Sequence, residues 1–115
     1  MIHYFFSKIG NDIDGEAVGD NSGRSVSLSS DGSVVAIAAI TNDGNGTDSG
    51  HVRIYKNVNN TWTQIGSDID GEAANDYSGQ SVSLSSDGSV VAIGAITNDG
   101  NGTDSGHVRI YKNVN

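Results

Sequence analysis

Side-chain oxygens at alternate positions are the first feature of this sequence that could do chemistry. Asp43, Asn45, Thr47 and Asp48, and again Asp99, Asn101, Thr103 and Asp104, space carboxylate, amide and hydroxyl oxygens as a loop does around a hard cation. Calcium is the cofactor such a donor set suits, and Asp12, Asp14 and Glu16 could supply further oxygens from a neighbouring segment. A helix-loop-helix calcium site is excluded, because it would need Gly in place of Asp48 and Glu in place of Ile54. The competing reading of the same residues is turn chemistry, in which Asp and Asn bond their own loop backbone while Gly supplies positive φ.

Other candidates carry less. His3, His51 and His107 have no cysteine and no second histidine beside them, so a packing or hydrogen-bonding role is expected. Ser25, Ser27 and Ser29 alternate along one strand, and no G-x-S-x-G elbow surrounds any serine. Carboxylate pairs of the glycosidase type are available by residue type, but the acids recur at the same places in each half, whereas a catalytic centre is usually unique. No catalytic residue is assigned and no enzyme activity is expected. Trp62 aligns with Phe6 on an outer strand and reads as packing, whereas Tyr77 replaces Asn21 in a polar link, where an aromatic ring suits carbohydrate contact. Asn45-Gly46-Thr47, Asn59-Asn60-Thr61 and Asn101-Gly102-Thr103 fit the N-glycosylation sequon.

The elements that must position these residues come from duplication. Ile9 to Val58 and Ile65 to Val114 are identical at 44 of 50 positions, and the differences are Asn11/Ser67, Val18/Ala74, Gly19/Asn75, Asn21/Tyr77, Arg24/Gln80 and Ala38/Gly94. Asp, Asn, Gly and Ser supply 56 of the 115 residues, which predicts many short strands joined by turns. In each repeat SVSLS (25–29) alternates, VVAIAA (34–39) is a continuous small apolar run, HVRIYK (51–56) sets Val52 and Ile54 opposite His51, Arg53 and Tyr55, and TWTQIGSDI (61–69) forms a fourth strand. Helix is excluded, since no glycine-free stretch shows helical apolar spacing.

A four-stranded antiparallel unit, apolar on both faces and repeated in tandem, is what a β-propeller blade requires, and such blades number about four to eight per ring. The fold class is therefore all-β, with a ring completed by homo-oligomerisation or by further repeats. Three regions follow: 1–8 as an outer strand completing a blade of a neighbouring chain, 9–64 as the first repeat, and 65–115 as a second repeat without its own outer strand. On this reading His3 to Ile9 caps the third strand of a neighbour's second blade, and head-to-tail contact of three or four copies gives six or eight blades. The alternative is a window of a longer multi-blade polypeptide.

The stretch SGQSVSLSSDGSVVAIGA followed by a loop and SGHVRIYK resembles the integrin-alpha type of propeller repeat called FG-GAP. Ser78-Gly79 stands at the Phe-Gly position and Gly94-Ala95-Ile96 at the Gly-Ala-Pro position; the first copy has Ser22-Gly23 and Ala38-Ala39-Ile40. The order SSDG, VAIGA, VRIY is also similar to tryptophan-aspartate propeller repeats. The FG-GAP resemblance implies extracellular recognition or adhesion at a cell surface. Repeats of that family carry their calcium loop between the first and second strands, where this chain has only SSDG, so that ion site does not carry over.

In an antiparallel meander the second-to-third loop and the link into the next repeat share one edge. That edge holds 12 of the 14 acids, with Asp12, Asp14, Glu16, Asp20, Asp68, Asp70, Glu72 and Asp76, together with Tyr77, as its ligand face. Only Asp31 and Asp87 fall on the other edge. Net charge is −8 with six Lys and Arg scattered along the chain, which argues against nucleic acid. The apolar run Ile2 to Phe6 is too short for a membrane span or a secretory signal. The expected function is a binding module that uses a multivalent acidic face to hold a protein or carbohydrate ligand. Its rivals are a building block of a filament or giant surface protein, and a sugar-binding lectin.

Overall fold

The computed structural model describes residues 5–114. Among them all regular structure is strand: β1 (Ser22–Leu28), β2 (Val34–Ala39), β3 (His51–Val58), β4 (Thr61–Gln64), β5 (Ile69–Asp70), β6 (Ser81–Leu84), β7 (Val90–Ala95) and β8 (His107–Lys112). The first sheet runs β1-β2-β3-β4, with β5 also paired to β3, and the second runs β6-β7-β8. Every pairing between these strands is antiparallel and the registers repeat: Ala36 faces Ile54 in one sheet as Ala92 faces Ile110 in the other.

The hairpin joining β1 to β2 shows how local sequence sets that register. Asp31 Oδ1 accepts from the Ser33 amide at 2.9 Å, the Ser33 hydroxyl at 2.7 Å and the Ser29 hydroxyl at 3.1 Å. Gly32 follows at φ +75°, a conformation that glycine adopts without penalty. Asp87 and Gly88 repeat the device. These bonds hold the Asp31 and Asp87 carboxyls below the usual carboxylate range, with the Ser33 and Ser89 hydroxyls as the largest cause.

The expected fourth strand spans 61–69, and the structure breaks it. Tyr55 pairs with Gln64 and Val52 with Ile69, and the segment between bulges out around Gly66, at φ +74°. The Ile65 amide still donates to the Ile54 carbonyl at 2.8 Å, so β4 and β5 are two halves of one outer strand. No strand lies along the free edge of β8 among the described residues. The N-terminal outer strand expected over 1–8 is not a strand where it is described, over 5–8, and His3 lies outside the described residues.

The two sheets pack face to face. Ala36, Ala38, Val52 and Ile54 of the first meet Val91 and Ile93 of the second, and Ile65, Ile69, Val82, Leu84 and Tyr111 close around them. A buried branched side chain of this kind contributes about 1.5–3 kcal/mol. The innermost strands interlock through serines: Ser25 Oγ donates to the Gly79 carbonyl at 2.6 Å, and the Leu84 amide donates to Ser27 Oγ at 3.0 Å. The approach is so close that a Cβ on Gly79 would lie 2.6 Å from that of Ala38.

Gly79→Ala should therefore lower stability by about 2–4 kcal/mol, combining positive-φ strain with crowding at the joint. Gly66→Ala has the same kind of φ and nothing within 4 Å among the described residues, so it should cost only about 1–2 kcal/mol. Urea unfolding of both variants measures the difference, and equal losses would contradict the close packing.

Candidate functional site

The loop between β2 and β3 and the link into the following sheet are laced together by backbone bonds. The amides of Gly71, Asn75, Tyr77 and Ser78 donate to the carbonyls of Gly50, Thr47, Asp48 and Ser49 at 2.8–2.9 Å. Asn45 Nδ2 adds bonds to the carbonyls of Gly71 at 2.9 Å and Glu72 at 3.2 Å. Both acid-bearing segments thus share one edge, and the lacing crosses from the first sheet to the second.

Each repeat builds one polar network on that edge, centred on a buried asparagine. Asn42 Nδ2 donates to Glu16 Oε1 at 3.0 Å and Asp20 Oδ2 at 2.9 Å, while its Oδ1 accepts from the Gly44 amide at 2.8 Å. Asn98 does the same with Glu72 and Asp76 at 2.7 Å each, and with the Gly100 amide at 2.8 Å. Asp20 and Asp76, expected on a ligand-facing surface, are instead buried against these amides.

Arginine carries the second layer. Arg53 reaches Asp68 with two bonds, at 2.8 and 3.0 Å, and Glu16 with a third at 2.7 Å. Gln64 Nε2 also donates to Asp68, at 2.7 Å. The Arg53 bonds, then Gln64, hold the Asp68 carboxyl below the usual carboxylate range. In the second repeat Arg109 bonds Glu72, whose carboxyl is likewise lowered, chiefly by Asn98 and then by Arg109. His51 is buried beside the first network, its Nδ1 3.8 Å from Asp68 Oδ2 and without a hydrogen-bond partner among the described residues. His107 Nδ1 lies 4.0 Å from Glu72 Oε1.

The proposed metal ligands are largely committed elsewhere. Asp43 Oδ1 accepts from the Asp48 amide at 2.8 Å and Asp99 Oδ1 from the Asp104 amide at 2.7 Å, so both cap their own loops. Asp48 and Asp104 sit at φ +54°, Thr47, Asn101 and Thr103 are exposed, and Asn45 bonds the link. Two other groups gather donors within 4.8 Å of one another: Glu16, His51 and Asp68, and Glu72, Asp76 and His107. Calcium fits these poorly, because it takes six to eight oxygens, whereas here one donor of each trio is imidazole and guanidinium or amide donors already hold the carboxylates.

Asp12 pairs with Lys8 at the surface, 3.1 Å apart, and Asp14 and Asp70 are exposed and outside both networks. Tyr77 is half-buried at φ +51°, its hydroxyl 3.5 Å from Asp48 Oδ2. Sequence reasoning missed Asn42, Asn98, Arg53 and Arg109. The signal for Arg53 was present, since it shares with His51 the face of β3 opposite Val52 and Ile54.

An open apolar groove lies between the outer parts of the two sheets, with Ile65 and Ile69 on one wall and Leu84, Val91 and Tyr111 on the other. No helix among the described residues is long and apolar enough to cross a membrane.

Residues 67–111 match the model of the FG-GAP repeat, so the second repeat carries a unit of the kind that builds β-propeller blades. No curated protein and no solved structure matches the chain.

Because Asp68 is stabilised in its charged form, its contribution is present above about pH 4 and is lost as pH falls through the lowered value. Asp68→Asn should cost about 1–2 kcal/mol at neutral pH. The gap from the native chain should narrow below pH 3.8, the ordinary value for this group. Urea unfolding at neutral and acid pH tests this, and a gap that does not change with pH would remove the ion pair as its source.

Proposed function

We propose that this FG-GAP repeat chain is a non-enzymatic β-propeller module. Three or four copies joined head to tail complete its ring, and its acidic loop edge binds an extracellular partner. The observation that carries this reading is the repetition of one charged edge: the same loop and link bear the same acids 56 residues apart, on two sheets that pack face to face. Around a closed ring each weak contact is multiplied, and avidity rather than any single site provides the affinity. The partner chemistry that suits a chain of net charge −8 is a cationic protein surface. The reading does not depend on calcium, because amide and guanidinium donors already hold the buried carboxylates.

A carbohydrate partner is the second reading, and Tyr77 favours it. A bulky side chain at φ +51° is strained by about 1–2 kcal/mol, whereas Asn21 occupies the same position of the first repeat at φ +57°, where Asn is tolerated. Strain of this kind gathers at sites of function.

Binding of an oligolysine peptide, followed by calorimetry at two salt concentrations, tests the first reading. Asp14→Asn with Asp70→Asn removes exposed charge outside the buried networks and should weaken binding about tenfold, in line with about 1.4 kcal/mol. No binding at low salt, or binding unchanged in the double variant, would refute the acidic-face reading. On a glycan array, a signal that disappears in Tyr77→Asn would move the assignment to carbohydrate.

A further inference from the structure

The chain contains one sheet-to-sheet joint and leaves both surfaces of a second one open. In the joint, Val52 and Ile54 are 0 and 9 % exposed beneath the second sheet. Their equivalents on the second sheet, Val108 and Ile110, are 65 and 69 % exposed. On the far face of the first sheet, Val26 and Leu28 occupy the positions of Val82 and Leu84, which pack into the joint, yet both are 59 % exposed. Gly23 and Gly32 match Gly79 and Gly88, whose Cβ positions crowd Ala38 and Val34, but nothing among the described residues lies within 4 Å of theirs. The two open surfaces thus have the shape and sequence of a joint already formed, and they belong to opposite faces of the pair.

The polar network is unfinished in the same place. Arg53 holds both Glu16 and Asp68, whereas Arg109 holds Glu72 alone among the described residues. The residue at the Asp68 position of the repeat is Asp12, in the stretch Ile9-Gly10-Asn11-Asp12-Ile13-Asp14, which differs from residues 65–70 only at Asn11. That stretch is not a strand here. It borders Tyr55 and Trp62, with Trp62 Nε1 donating to the Ile9 carbonyl at 3.0 Å, and so lies on the uncovered face of the first sheet.

We propose that a second copy of the chain seats its second sheet on this face, and that residues 9–14 then close along the partner subunit's β8 as its outer strand. Asp12 replaces its exposed pairing with Lys8 by a bidentate bond to the partner subunit's Arg109, next to the partner subunit's His107, as Asp68 does for Arg53 and His51. Ile9 and Ile13 cover the partner subunit's Ile110 and Val108. A bare strand edge and an apolar face are removed together, and each copy completes the acid–arginine cluster of the next. This inference rests on the reading that several copies form the ring, and it names the contact that joins them.

Native mass spectrometry at micromolar concentration should give three or four times the 11.9 kDa of one chain. Arg109→Glu and Asp12→Arg should each reduce the mass to a single chain while the strand signal in circular dichroism persists, and the two changes combined should restore assembly. The chain has no cysteine, so Ile13→Cys with Val108→Cys, placed by the Val52–Ile69 register, should link chains on mild oxidation whatever the charge variants do. A native chain that stays single overturns both the ring and this contact. An assembly that survives either charge reversal, a combined variant that fails to reassemble, or cysteines that do not cross-link overturns the contact alone.

Discussion

The burial of Val52 and Ile54 of the first sheet beneath Val91 and Ile93 of the second is the interaction on which the rest of the molecule depends. Strands built from VVAIAA and HVRIYK carry apolar side chains to both sides, and a sheet of that kind has no side it can leave to water without cost. The joint is thin, filled by alanines and valines, and the inner strands approach until a glycine is required where Gly79 meets Ala38. Small residues on the inner strand are therefore a condition of packing: Ser25 and Ser27 spend their hydroxyls on the neighbouring strand because they lie too close for anything larger.

The polar edge depends on the same joint. The link from the first sheet to the second is laced by backbone bonds to the β2–β3 loop of the first, whereas the Glu and last Asp of each link meet the asparagine and arginine of the sheet it leads into, and Asp68 reaches back to Arg53. Fourteen acids in a chain of 115 residues should repel one another. Those that crowd most closely are matched: Asp20 by Asn42, Asp76 by Asn98, Asp68 by Arg53 and Gln64. What stays at the surface, Asp14, Asp43, Asp70 and Asp99, is an array with the spacing of the repeat, and charge of that kind acts through number.

Period-two alternation and turn residues made the strands legible. VVAIAA is a strand over 34–39 as expected, HVRIYK over 51–56 extends by two residues, and the SSDG turns fall where Asp and Gly placed them. Less legible was the bulge at Gly66, because nothing in the alternation of TWTQIGSDI marks the shift of register between the Tyr55–Gln64 and Val52–Ile69 pairs. The alternate-oxygen spacing over 43–48 suits both an ion loop and turn chemistry, and only the bond from the Asp48 amide to Asp43 shows how that carboxylate is used here. Arg53 and Asn42 escaped notice because their partners, Asp68 and Glu16, are 15 and 26 residues away in sequence.

Alternation, turns and a repeat of 56 residues are local or self-referential properties, and the amino-acid order alone determined that this protein is all-β, duplicated and acidic along one edge. Which acids are displayed and which are buried was decided only by tertiary structure. Asp14 and Asp20 are the same residue type in the same link, yet one is exposed and the other 5 % exposed against an asparagine 22 positions away. Composition cannot separate them, since the difference lies in whether a distant donor is brought within hydrogen-bond reach, and that happens only once β1 has paired with β2.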